Sequence, residues 1–253
     1  MINGIIGKKI GMTQIFDDRG EVHPITIIQA GPCVVTQRKT AAKDGYEAAQ
    51  IGLVEFVKES RLTKPMKGHF AKHDVPPVKI TREFAVTTAT EAAENIEEGQ
   101  DPAADGNLKV GDRVLVDIFS EERFVDISGT SKGRGFAGVV KRHGFGGGPK
   151  AHGHMFQVQG SIGASSFPSR VFPGQRMSGH FGMDNITVRN LKVRGIDNDD
   201  NLIMVEGAVP GPKGGYVLIN RAKRPPSERR GFAGTANINP LKASKKAAGG
   251  KKK

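Results

Sequence analysis

The sequence predicts a mainly β protein: a closed or nearly closed barrel of short strands, carrying a long, irregular, glycine-rich basic insertion and a basic C-terminal tail. Runs rich in β-branched residues recur at short intervals and end in polar turns, Asp17-Asp18-Arg19-Gly20 and Asp197-Asn198-Asp199-Asp200 among them, as in an all-β barrel. No acidic residue stands between Asp126 and Asp184, 57 residues that hold seven Lys and Arg, four His and 14 Gly. Apolar residues gather in the first half and again over 186–220, enough for one modest core with attachments outside it.

Taken in order, Ile2–Phe16 is the first strand, closed by the Asp17–Gly20 turn. Val22–Lys39 follows and is interrupted at Gly31-Pro32, because proline cannot donate to a ladder. Asp44-Gly45 precedes Tyr46–Phe56, and further strands are expected at Ile80–Val86, Arg113–Phe119 and Arg123–Ser128. Val114, Val116 and Ile118 alternate, which assigns them to one face of a strand. Beyond the acid-free stretch, Ile186–Ile196, Leu202–Val209 and Tyr216–Asn220 complete the set. The barrel is thus expected over 1–127 and 184–222. It carries an irregular, Pro-containing excursion at 58–79 with room for a short helix, and an acidic loop or helix at 87–106. Residues 128–183 form an insertion anchored at both ends, and 223–253 a flexible tail.

Charge is unevenly spread. The chain is +12 overall, but residues 221–253 hold 11 Lys and Arg against Glu228 alone, whereas 87–106 hold six acids and no Lys or Arg. The acid-free stretch buries too little apolar surface to order itself, so a polyanion, nucleic acid, is the expected partner. Lys132, Arg134, Lys141, Arg142, Lys150, Arg170 and Arg176 supply its charge. Phe136, Phe145, Phe156, Phe167, Phe172 and Phe181 are interleaved with them. Those rings are open to two readings, packing on the protein or stacking on bases. Cys33 is the one cysteine, which rules out an internal disulfide, fits a reducing compartment and makes it a small core residue. The start of the chain has no signal-peptide pattern, and no apolar run reaches the roughly 18 residues of a spanning helix, so no membrane partner is expected.

Other chemistries fit poorly. Gly133-Arg134-Gly135-Phe136-Ala137-Gly138 matches the dinucleotide fingerprint and, with Val140, the kinase glycine loop. The first needs an acid about 20 residues on, and the next one here is Asp184; kinase His-Arg-Asp and Asp-Phe-Gly motifs do not occur. These glycines instead suit a backbone turning tightly against phosphates. His143, His152 and His154 lack a nearby cysteine or carboxylate to complete a zinc site, so His152 and His154 are assigned to RNA and no metal is expected. Ser161, Ser165 and Ser166 have no identifiable base. No catalysis, cofactor or small-molecule substrate is expected. The competing readings are a sequence-tolerant RNA chaperone and an RNA-directed transferase.

Several segments resemble the bacterial large-subunit ribosomal protein three family, in the family's order from residue 2 to about 220. They are Gly7-Lys8-Lys9-Ile10-Gly11-Met12-Thr13, Thr63-Lys64-Pro65 with Gly68-His69-Phe70, and Ser128-Gly-Thr-Ser-Lys-Gly-Arg-Gly-Phe-Ala-Gly138. Gly160-Ser161-Ile162-Gly163, Arg170-Val171-Phe172 with Gly174, and Gly207-Ala208-Val209-Pro210-Gly211 complete them. Each is weak alone; together they are highly specific. The resemblance implies a translation-factor-like barrel on the large subunit of a cytoplasmic ribosome. It also implies direct binding to large-subunit (23S) rRNA near its 3′ end and a role in early assembly. The insertion would run toward the peptidyl transferase centre with its tip at Gly160, Ser161, Ile162, Gly163, Ala164, Ser165 and Ser166. Large-subunit proteins fourteen and nineteen would be neighbours. Lys8, Lys9, Arg224, Arg229 and Arg230 join the expected rRNA contacts. In some members the residue after Gly-Ser-Ile-Gly is a methylated glutamine; here it is Ala164, and that modification is not expected.

Overall fold

A computed structural model of the chain describes residues 2–17, 19–86, 108–151 and 153–226. Six strands close an antiparallel barrel in the order β1-β12-β7-β10-β11-β2. They are β1 (Gly4–Phe16), β2 (Val22–Gln29), β7 (Phe124–Thr130), β10 (Asn185–Asp197), β11 (Leu202–Glu206) and β12 (Tyr216–Arg221). Alternation sorts their side chains. Ile5, Ile28, Ile127, Ile203, Val205, Val217 and Ile219 are buried in one core, and the registers Ile5↔Ile219, Ile127↔Ile219 and Ile203↔Ile28 bring their strands together. Closure leaves no barrel strand with a free edge.

Four strands expected in the barrel form a separate sheet instead, in the order β5-β4-β3-β6. They are β3 (Cys33–Lys39), β4 (Ala48–Leu53), β5 (Thr81–Ala85) and β6 (Arg113–Val114). Cys33, Val35, Ala49, Ile51 and Phe84 join the barrel core. The opposite side of β3 is covered too, since Val34 packs with Phe70, Val75 and Val78. Phe70 belongs to α2 (Lys64–Ala71), the short helix in the expected excursion. A shorter helix, α1 (Ala41–Asp44), joins β3 to β4 and ends at Gly45.

One strand expectation is corrected. Only Arg113 and Val114 of Arg113–Phe119 pair, and Val116–Phe119 winds into a 3-10 turn. Val116 and Phe119 are both fully buried. Their spacing of three matches the 3-10 period, so burial of Phe119 overrides the alternation of Val114, Val116 and Ile118. Elsewhere strands shorten at their ends. Tyr46–Phe56 pairs only over Ala48–Leu53, and β11 stops at Glu206, before Gly207 at φ +97°.

Two polar groups brace the barrel. The buried Asp126 carboxylate accepts from the backbone N–H of Asn190 at 2.8 Å and of Lys223 at 3.3 Å. It thereby fixes the irregularity in β10 between Val188 and Leu191, where Asn190 has φ +56°. Arg194 gathers Glu206 at 2.8 Å, Asp17 at 3.8 Å and the His23 ring at 2.9 Å.

The chain divides into two units, Met1–Lys223 and Arg224–Lys253. In the second, Arg224, Pro225 and Pro226 are exposed. The expected acidic segment at 87–106, His152, Arg229, Arg230 and most of the basic tail lie outside the described residues.

Candidate nucleic-acid interface

The insertion leaves β7 and returns on β10, which are neighbours in the barrel wall. Their ladder runs out at Asn185↔Thr130 and continues as a stem. Ser131 N–H donates to the Asp184 carbonyl at 2.9 Å, Arg134 N–H to Phe181 at 2.8 Å and Phe181 N–H to Gly135 at 2.9 Å. A two-residue ribbon follows, β8 (Phe136–Ala137) against β9 (Gly179–His180). At the stem's base a Cβ on Gly182 would collide with the Lys132 carbonyl, and φ there is +84°. Only glycine allows so close an approach at that angle.

Beyond the ribbon, α3 (Val139–His143) ends at Gly144 in the left-handed conformation. Side-chain bonds to backbone hold the two limbs together. The Arg142 guanidinium donates to the Met177 carbonyl at 2.8 Å, His143 Nε2 lies 3.1 Å from the same oxygen, and the Gln159 amide donates to Arg176 at 2.7 Å. Gly147 and Gly148 press against the carbonyls of Phe156 and Met155, where any Cβ would clash. These two glycines serve contact within the chain rather than approach to phosphate.

The insertion has almost no interior. Among the described residues of 131–183 only Ala137, Val139 and Gly182 are buried. Phe136 is 79% exposed, Phe167 88%, Phe172 59% and Phe156 45%. Four of the six interleaved rings therefore lie open; Phe145 and Phe181 are half-buried. Phe181 carries the Arg134 guanidinium 5.0 Å over its ring, and Phe172 has Arg170 at 5.9 Å.

Lys132, Arg134, Lys141, Lys150, Arg170 and Arg176 are all exposed, as is His154. Among the described residues none of the six cations has a carboxylate within ion-pair distance. Gly160–Ser166 is an exposed irregular segment bent at Gly163 and Ser165, with Gly160 at φ +88° and the Ser161 hydroxyl donating to the Gly163 carbonyl at 2.8 Å.

Three expected contacts are engaged inside the chain. Lys9 is 8% exposed, and its ammonium donates to the carbonyls of Val209 at 2.8 Å and Gly211 at 3.3 Å. Burial, with the nearby Lys132 charge, holds it below the usual lysine range. Lys8 pairs with Glu55 at 2.9 Å. Burial pushes the Glu55 carboxyl up, but the hydrogen bonds from Tyr216 and Lys8 outweigh it and leave it below the usual range. Arg142 is half-buried and spent on the Met177 carbonyl. Lys9 and Arg142 thus brace the fold through backbone carbonyls, while Lys8, its side chain 39% exposed, holds an ion pair at the surface.

Asp17, Glu21 and His23, whose ligand atoms lie within 4.8 Å of one another, are not legible as a group from the sequence. They come together only because β1 and β2 form a hairpin with Phe16↔Val22 at its end. The Arg194 guanidinium already supplies the positive charge at that group.

Residues 93–201 match the family model described as Ribosomal protein L3. The chain is 62% identical to the large ribosomal subunit protein uL3 of Koribacter versatilis (strain Ellin345), with all of both chains covered. It is 55% identical to that of Solibacter usitatus (strain Ellin6076), over 88% of this chain and 100% of the other. Against that of Pelotomaculum thermopropionicum the identity is 49%, over 88% of this chain and 99% of the other.

Proposed function

The chain belongs to the ribosomal protein L3 family, and from that premise we propose that it is a structural constituent of the large ribosomal subunit, cytoplasmic in bacteria, and that its insertion is embedded in rRNA. The observation that carries the reading is the insertion's surface. Among the described residues, six cations without carboxylate partners and four open aromatic rings stand on a stem that buries almost nothing of itself. Such a surface is stabilised by phosphates packed around it and by bases against its rings. The closed barrel is the rigid anchor, which lowers the ordering entropy lost on binding.

At finer grain, the barrel sits on the subunit surface and the chain binds 23S rRNA near its 3′ end during early assembly. The segment at Gly160–Ser166 points toward the peptidyl transferase centre, and proteins fourteen and nineteen are neighbours. These four statements are supported by family membership together with the motifs at 128–138 and 160–163.

The test is affinity for the 3′ domain of large-subunit rRNA measured across salt. Replacing Lys132, Arg134, Lys141, Lys150, Arg170 and Arg176 by alanine together should flatten the log–log slope by roughly 4–5, at roughly 0.7–0.9 per phosphate contact. An unchanged slope would refute the phosphate role. Equal affinity for unrelated RNAs would instead favour the chaperone reading.

A further inference from the structure

A cleft of about 740 Å³ opens where the insertion joins the barrel. Its floor is the outer face of three barrel strands: Leu218 and Tyr216 of β12, Ser128 and Thr130 of β7, Asn185 and Thr187 of β10. Met183 forms one wall and Ile80 another, with Lys132 on the insertion side and Arg82 on the β5 side. Among the described residues no Asp or Glu lines it.

The floor is polar in an ordered way. Ser128 and Thr187 hydroxyls bond to each other at 2.8 Å, and the Thr130 hydroxyl donates to Asn185 Oδ1 at 3.1 Å. Among the described residues this leaves the Asn185 amide N–H groups and the remaining lone pairs on Thr130 without a side-chain partner. A side-by-side donor and acceptor is what the edge of a nucleobase pairs with. The volume lies in the range of small-ligand sites.

We propose that this cleft receives one unpaired nucleotide of the bound RNA, its base held between Met183 and the Leu218 face and its phosphate between Lys132 and Arg82. The inference rests on the rRNA-binding reading above and deepens it. Charge favours this occupant, because Lys132 and Arg82 make the rim cationic and, among the described residues, the lining has no acid to attract a basic peptide. Backbone geometry favours it too. The three floor strands are paired on both sides within the closed barrel, so they have no free edge to which a peptide could add as a strand.

Ultraviolet crosslinking of large subunits containing the full chain tests the assignment. Nucleotide–peptide adducts are expected on the segments holding Met183 and Tyr216. In parallel, Thr187→Phe fills the cleft without removing a charge and should weaken binding to the 3′ domain of large-subunit rRNA about tenfold. Asn185→Asp places a negative charge there without added bulk and should also weaken it, so the test survives if Thr187→Phe fails to fold. Tight wild-type binding, with adducts confined to 134–180 and both variants unaffected, would overturn the cleft assignment and leave the rRNA reading standing. Crosslinks from the cleft to another protein would overturn it as well. No wild-type binding at all would sink both readings.

Discussion

Lys8 and Lys9 are adjacent and carry the same charge, yet strand alternation sends their side chains to opposite faces of β1. Lys9 points into the barrel mouth and holds the carbonyls of Val209 and Gly211. Lys9→Met should therefore lower unfolding free energy by roughly 1–3 kcal/mol, the cost of one buried and one half-buried acceptor losing their donor. Urea titration measures this, and the salt slope of RNA binding should stay as in the wild type. Cys33 offers a second check. Burial pushes its thiol up to about 12, outweighing a backbone hydrogen bond at Ile6 that acts the other way. The folded pKa is raised, so the unfolded chain loses its proton first, from about 9 upward. The stability this thiol contributes is whole below pH 9 and declines as pH rises toward 12. Comparison with Cys33→Ala isolates the effect, since Tyr216, also raised to about 12, is common to both proteins. Urea midpoints at pH 8 and pH 11 should fall more for the wild type; equal falls would contradict the buried-thiol assignment.

The stem shows how one element turns a charge into a brace. Arg142 and Arg134 read alike in the sequence, as cations in an acid-free stretch. Only the pairing of β8 with β9 reveals that Arg142 reaches Met177 on the returning limb while Arg134 lies exposed over Phe181. Arg134→Ala should then flatten the salt slope by roughly 0.7–0.9. Arg142→Ala should leave the slope nearly unchanged but speed amide hydrogen exchange across 136–143 and 177–181. If the two variants behaved identically in both measurements, this division of roles would be wrong. The second sheet was hidden for a related reason. Strands of the barrel and of the sheet share β-branched patterning, and nothing local says which partner each will take. One signal was present. Cys33-Val34-Val35 is a continuous apolar run, which means both faces are covered, and β3 is indeed held between the barrel core and the cluster beneath α2. At Val116–Phe119 the alternation misled, because the burial of Phe119 decided the backbone.

For the molecule as a whole, the features most legible in the sequence were those set by composition and by long periodic runs. The barrel strands followed from alternation and the insertion from its missing acids. Meetings such as Arg194 with Asp17 and His23, Glu55 with Lys8 and Tyr216, or the cleft between Arg82 and Lys132 depend on how the barrel closes and the second sheet packs beside it, which brings together residues far apart in sequence. The resulting design joins a self-sufficient folded anchor to an extension that is incomplete alone. Binding should accordingly depend on the polyanion around the insertion and survive conditions that strip loosely attached surface proteins. Such a design implies a chain built into the large subunit through its RNA. The most direct test is sucrose-gradient sedimentation of a cell lysate after a high-salt wash, with the chain quantified in each fraction. Retention in the large-subunit peak at one copy per particle is expected. Release into the light fractions by salt, or a substantial free pool before the wash, would contradict it.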